Sequence, residues 1–461
     1  MKKVFSLLAI SVLIFVLAAC SGSESSGKND SGNKKGDSND KKEEVTISYA
    51  HWNLGTEEEM NLERLMLEQF QRDYPHIKVE LYEISGNWNE QLAAAASANN
   101  MPDVFAVPDL PLALSNDWVL DVTVMAENDT DFGNVPQVVR QSTEYNKQIV
   151  ALPFAQHFLG YFVNKDLYNE ANLDYPTMDS TVEEFEAAVK DITNVQAGVI
   201  GLQNAGSIAD WYPAAANPDS GWYTYTDGKY ELNSSEYIAG VKFANEVVTN
   251  GYSYDNLTDE QKANFKGEDG NQVWFEGDIG IKWDGSWAVS SLVENSSFEF
   301  DFIGIPGGKI VITNDLLGIS QTTKHAEEAF IFAKYMSFGK EGFMKRMELA
   351  AENGKVVNTL PVNTDQEILD EYFAQAPVPG IQKAYERLDE AILEPVKTVP
   401  GYAQSRWHAP TGVKVGEHEN ATIGQLLDAI IKGELKIEDY ATQLNDLANA
   451  KYEEAVAALE N

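Results

Sequence analysis

Val45-Thr-Ile-Ser-Tyr-Ala50 opens an alternation that decides the fold class. Its β-branched and aromatic residues read as a strand. Thr56 with Glu59 forms a capping box, and the helix it starts runs to about Asp73, where Tyr74-Pro75 stops it. Ile77, Val79 and Leu81 alternate as a second strand. A helix near Asn89 to Ala98 follows, and Asp103 to Val107 is a third strand after Pro102. Strand, helix, strand, helix, strand at this spacing predicts an α/β fold with a parallel sheet.

The alternation recurs downstream. Ile149 to Pro153, Gly160 to Asn164, Val199 to Gln203 and Ile279 to Trp283 read as short apolar strands. Thr181 with Glu184 caps a helix whose Phe185, Ala188, Val189 and Ile192 share one face. The chain ends in helices: Ile423, Leu426, Leu427, Ile430 and Ile431 line one face, and Leu444, Leu447, Tyr452, Val456 and Leu459 another. No repeat of solenoid period occurs.

Upstream of Val45 the chemistry changes. Ser21 to Glu44 holds no large apolar residue, so it cannot bury a face and is expected to be a flexible tether. Random-coil scaling gives it a mean reach on the order of 25–30 Å. Before it, Met1-Lys2-Lys3, the apolar run from Val4 to Val16 and the small residues Ala18-Ala19 form a secretory signal over residues 1–19. Cys20 is the only cysteine. Leu17-Ala18-Ala19-Cys20 resembles the lipobox of bacterial lipoproteins, which implies acylation of Cys20 and membrane attachment through it.

With one cysteine in 461 residues, a disulfide framework and cysteine-based zinc sites are excluded. The length suggests two or three domains. No apolar run after the signal reaches the length of a membrane span. A formal charge of −38 becomes −40 once cleavage removes Lys2 and Lys3. That balance repels nucleic acid and anionic lipid, and it keeps a secreted protein soluble.

Ligands of parallel α/β sheets sit outside the carboxyl ends of the strands. His51-Trp52-Asn53 follows the first strand, Gly86-Asn87-Trp88 the second and Pro108-Asp109 the third. Gln203-Asn204 and Asp284-Gly285-Ser286-Trp287 follow later strands. Trp211-Tyr212, Trp222-Tyr223 and Arg406-Trp407-His408 lie in loop-like sequence. Tryptophan thus recurs beside Asp, Asn and Gln at the expected sheet edges, whereas Trp118 and Trp274 sit inside apolar stretches and read as packing. Flat rings suit the C–H faces of a sugar, and carboxylates and amides pair its hydroxyls.

The chain resembles the solute-binding lipoproteins of carbohydrate ABC transporters, the extracellular family 1 that includes maltose-binding proteins. The resemblance runs from about Val45 onward. It is carried by Ile149-Val-Ala-Leu-Pro153 leading to Gly160-Tyr-Phe-Val-Asn-Lys-Asp-Leu-Tyr168, by Phe275-Glu-Gly-Asp-Ile-Gly280 through Asp284-Gly-Ser-Trp287, and by Gly318-Ile-Ser320 with Glu327 to Tyr335. It implies a two-lobed α/β fold of the type II periplasmic-binding-protein kind, each lobe a mostly parallel sheet flanked by helices. The expected lobes are 45–152 plus 302–337 and 153–301 plus 338–461, behind the signal (1–19) and the linker with Cys20 (20–44). Trp287 matches the aromatic of the family's Gly-Ser-Trp turn, and Asp109 a polar position after the third strand. Trp52, Asn53, Trp88, Gln156, Trp211, Trp222, Asp284 and Trp407 complete the expected ligand site. The implied partners are a sugar or oligosaccharide and the permease of an ABC importer, with the protein a monomer.

Two other readings stay open at the level of sequence. A tethered carbohydrate hydrolase needs only a carboxylate pair, and 72 acidic residues allow one. Yet there is no Gly-x-Ser-x-Gly, no His-Glu-x-x-His and no phosphate-binding loop, and no metal or cofactor motif stands out. A binder of peptides, polyamines or uronates on the same scaffold would want several carboxylates in the cleft, or Arg406 or Lys414 there.

Overall fold

The computed structural model describes residues 43–56 and 58–460. The signal, Cys20 and the linker before Glu43 fall outside those residues. Eleven strands occur among the described residues: β1 (Val45–Ala50), β2 (Ile77–Leu81), β3 (Val104–Val107), β4 (Glu144–Tyr145), β5 (Gln148–Ile149), β6 (Leu152–Asn164), β7 (Ile200–Leu202), β8 (Ile279–Gly285), β9 (Phe300–Gly304), β10 (Val311–Ile319) and β11 (Ile392–Leu393). One sheet runs β2-β1-β3-β10-β6-β8-β7, with β11 on β10 and β9 on β6, while β4 and β5 form a small hairpin.

The sheet is parallel at its ends and antiparallel in its middle. β1 pairs parallel with β2 and β3, and β7 parallel with β8. β10 runs antiparallel to β3 and to β6, and β6 antiparallel to β8 and β9. The parallel parts follow from the strand–helix alternation, because a helical crossover returns the chain in the same direction. Helices α1 (Leu62–Asp73) and α2 (Trp88–Ser97) make those crossovers at the first end. Asn61, not Thr56, caps α1, its side chain accepting from the Arg64 N–H at 3.0 Å. Thr56 and Glu59 keep half of the expected box, with the Thr56 N–H on the Glu59 carboxylate, but ahead of the helix.

β6 is one thirteen-residue strand, buried throughout, where the sequence suggests two. Its polar centre, Ala155-Gln156-His157, is not a break. It is the middle of a crossing strand flanked on both sides, with β10 covering its first half and β8 and β9 its second. β9 keeps the chain beside Tyr161–Asn164 past the crossing expected near Asp301. Helix Lys340–Glu352 packs on α1, although the boundary expected at Phe338 assigns it to the other lobe. The capping box at Thr181 and Glu184 forms as read, as do the helices Ile423–Ile431 and Ala441–Leu459. Trp118 and Trp274 are buried, in keeping with their apolar surroundings.

Candidate solute-binding site

A cavity of about 510 Å³ opens where β6 and β10 run side by side. His157, Thr313 and Asp315 line it from one face of the two strands, and His157 and Thr313 are direct cross-strand partners. The pairing steps from Ala155–Asp315 to Pro153–Leu316, which leaves Phe154 without an opposite residue. Such a bulge re-aims side chains locally, and here both Phe154 and Ala155 border the cavity.

The two aromatic walls are fixed by their turns. After β1, the ring Nδ1 of His51 accepts the Asn53 N–H at 3.0 Å and closes a tight turn around Trp52. Asn61 donates to the Asn53 carbonyl at 2.7 Å, and Arg64 to those of Leu54 and Gly55 at 2.7 and 3.0 Å. The loop carrying Trp52 is thereby clamped to α1. Elsewhere on the lining, the Trp287 indole folds over Gly285, where a Cβ would stand 2.4 Å from the ring. That is why the turn reads Gly-Ser-Trp. The Ser286 hydroxyl accepts the Phe158 N–H at 3.1 Å, tying the turn to β6, and Trp287 meets His157 edge-on with centroids 5.4 Å apart.

The charges of the lining are paired. Lys397 donates to Asp315 at 2.8 Å, and the His157 Nε2 lies 3.9 Å from the other carboxylate oxygen. Burial would raise Asp315, but Lys397 outweighs it and holds the carboxyl below its ordinary value. Arg346 forks onto both oxygens of Glu63 and donates to the Met336 carbonyl at 2.9 Å. Burial pushes His51 and His157 each down to about 4, so both rings are neutral near pH 7. Behind Thr313, buried Glu394 is pushed up to about 7 by desolvation, the nearby Lys397 working against it.

Of the residues expected from sequence, Trp52, Asn53 and Trp287 meet in this cavity. Trp88 stands next to it, edge-on to Trp52 at 5.3 Å. The others lie elsewhere. Trp211 is fully buried, its indole N–H on the Tyr161 hydroxyl at 2.8 Å, so it packs and presents no platform. Gln156 is buried and paired with Asn314, on the strand face opposite His157. Asp109 caps the helix Leu110–Ser115 through the Leu112 N–H, at 2.9 Å, and burial raises its pKa. Asp284 sits 3.0 Å from the ammonium of buried Lys282. Trp222 stacks on Trp283 beside a separate groove, and Trp407 packs edge-on against Tyr402. The sequence reading passed over His157, Thr313, Asp315, Lys397, Glu63 and Arg346. Polar residues inside the apolar stretches Leu152–Asn164 and Val311–Ile319, namely Gln156-His157 and Thr313-Asn314-Asp315, were the available signal, since buried polar groups are the informative exception. Lys397 and Arg346 carry no local signal.

A mixed α/β sheet whose middle strands floor a cavity walled by loops from both ends is the architecture of a two-lobed solute receptor. The chain matches the bacterial extracellular solute-binding proteins over residues 55–338 and belongs to that family. A multiple sugar-binding protein of Streptococcus mutans is 22% identical over 364 residues, which are 73% of this chain and 78% of that protein. Among solved structures, an ABC substrate-binding protein from Listeria monocytogenes in complex with cycloalternan superposes with a TM-score of 0.67 at 20% identity, covering 89% of this chain and 100% of that one. The sugar-binding protein MalE of Xanthomonas citri superposes with a TM-score of 0.65 at 13% identity, covering 90% and 99%. The fold is therefore the two-lobed, type II periplasmic-binding-protein fold.

Proposed function

We propose that this protein captures an uncharged sugar in the cavity between Trp52 and Trp287 and delivers it to the membrane subunits of an ABC importer, while acylated Cys20 holds it at the extracellular face of the cell. One observation carries the reading. Of the nine tryptophans, only Trp52 and Trp287 are largely exposed, at 36% and 43%, and both line the same cavity. Two exposed indoles over paired polar groups suit a solute with apolar faces and a hydroxyl rim.

The charge pattern supports a neutral ligand over a polyamine or a uronate. The charged lining consists of Asp315 with Lys397 and Glu63 with Arg346, each cation answered by a carboxylate. A charged ligand would have to break one of these pairs or leave its own charge unanswered, and either is costly in a partly dry site. Two of the relatives named above are described as sugar-binding and the third is in complex with cycloalternan, which agrees with this reading. Two lobes closing about β6 and β10 would bring further polar groups over the sugar.

The test is a thermal-shift screen of neutral oligosaccharides, galacturonate and spermidine. Ligand at a hundred times its dissociation constant stabilises the native state by about 2.7 kcal/mol. A rise with a neutral sugar alone, and no shortened product on prolonged incubation, is the expected result. A rise with spermidine or galacturonate and with no sugar would overturn the reading, and product formation would restore the hydrolase.

A further inference from the structure

We propose that Asn358 is a positioning residue of the binding site: it fixes where the Trp287 ring stands, and the affinity for sugar depends on it through that ring. The proposal rests on the sugar reading above. Asn358 borders the cavity together with Trp287, and its amide is engaged by the turn that carries the indole.

The need for such a residue lies in the turn itself. Trp287 stands in the tight turn Ser286–Ala288, which runs straight into the short helix Val289–Asn295. The first N–H groups of a helix require an acceptor from outside the helical ladder. Ala288, at the N-cap, has none on its side chain. The Ser286 hydroxyl is engaged by the Phe158 N–H instead. Asn358 supplies the acceptor from a distant segment. Its Oδ1 accepts the Ser290 N–H at 3.2 Å, and its Nδ2 donates to the Ser290 hydroxyl at 3.0 Å. The amide thereby does the work of the missing cap. Asn358 is in turn tied to β6. The neighbouring Thr359 hydroxyl accepts the Gln156 N–H at 3.2 Å, and the Leu360 N–H donates to the Gln156 carbonyl at 2.8 Å. Trp287 is thus held from both flanks, through Ser286 before it and Ser290 after it, and both anchors end on β6.

Packing does not supply this hold. Val356 and Val357, just ahead of Asn358, border both the sugar cavity and a smaller apolar cavity of about 60 Å³, whose lining includes Ser286, Val289, Met347 and Tyr372. Atoms that line a cavity lack packing partners on that side. The turn therefore has room to shift, and the paired hydrogen bonds of Asn358 decide where the ring meets His157 and the sugar.

The experiment combines ¹⁹F NMR of 5-fluorotryptophan-labelled protein with calorimetric titration, using the sugar that gives the largest thermal shift. The Trp287 line is assigned by its loss in Trp287→Phe. Asn358→Ala is expected to shift or broaden that line and leave those of buried Trp211 and Trp274 in place. It should also weaken sugar binding about fivefold or more, the size of effect that contacting residues exert on one another. Asn358→Asp keeps an acceptor for the Ser290 N–H, and the Ser290 hydroxyl can donate to it, so both readouts should return toward wild type. In a Trp287→Ala background Asn358→Ala should change affinity no further, because it acts through the ring; a purely structural role would add its full effect. If Asn358→Ala does not fold, Ser290→Ala carries the same readouts from the other side of the clamp. An unmoved Trp287 line in the folded variant overturns the proposal, and so does full additivity with Trp287→Ala. A moved line beside a folded Trp287→Ala of wild-type affinity would instead overturn the placement of sugar at Trp287 and leave the hold of Asn358 on the ring standing.

Discussion

Replacing Lys397 by methionine isolates the charge at the floor of the cavity. Its ammonium lies 2.8 Å from Asp315, and the two side chains are only 19% and 13% exposed. At this separation two charges attract by about 6 kcal/mol at an effective dielectric of about 20, that of a site near the surface. Removing one partner of a buried pair typically costs about 3–5 kcal/mol. Because the cavity admits water, the lower end applies, and Lys397→Met should lose about 3 kcal/mol of stability at pH 7. The pH dependence is the sharper signature. In the wild type Asp315 is held below its ordinary value, so its contribution is present above the usual carboxylate range and is lost as pH falls through the native value. Without Lys397, burial raises Asp315 instead. The variant's deficit is then greatest at neutral pH and shrinks on acidification, as the carboxyl takes up a proton. Urea denaturation of both proteins between pH 7.5 and 4.5 measures this, and adding Asp315→Asn should recover much of the loss. A deficit under about 1 kcal/mol at pH 7, or one that grows toward acid, would refute the reasoning.

Three further outcomes follow from the same geometry. Trp211→Ala removes a fully buried indole and its bond to Tyr161, and should cost about 3–5 kcal/mol in chemical denaturation, as a packing residue does. Burial lowers the native pKa of His157 from 6.5 to about 4, so its neutral form stabilises the protein above the ordinary value, and that contribution is lost as pH falls from 6.5 toward 4. His157→Phe should therefore flatten the acid limb of a stability–pH curve over that window. Cys20→Ala should release the protein into the medium or stall its maturation, since stable retention needs lipid; membrane retention equal to wild type in a fractionation assay would contradict the anchor.

Much of the fold was legible because its signals are local. The alternation from Val45 to Val107 places the first three strands and their helices within a few residues, and the capping box at Thr181 starts its helix as read. The middle of the sheet was less legible. β10, with Asp315 and Thr313 in an apolar frame, pairs with strands far away in sequence, and no local pattern announces a partner of that kind. The site divides along the same line. Trp52 and Trp287, which line the cavity, were legible as candidates because each follows a strand in a short turn. Gln156 was chosen where its neighbour His157 faces the cavity, a one-residue difference that reverses the face of a strand. Trp211 shows the limit of residue type: its sequence looks like a loop, but the chain forms a helix from Ile208 to Ala216 and turns the indole into the core.

Calorimetric titration of wild type and Trp287→Ala with the sugar that gives the largest thermal shift tests the sugar site most directly. Truncating a central aromatic anchor typically costs about 2 kcal/mol or more of binding. The Trp287 ring is 43% exposed, so its loss should leave the fold intact. The expected result is an affinity weakened well over tenfold with an unchanged circular dichroism spectrum. A folded Trp287→Ala that binds the sugar as tightly as wild type would contradict it.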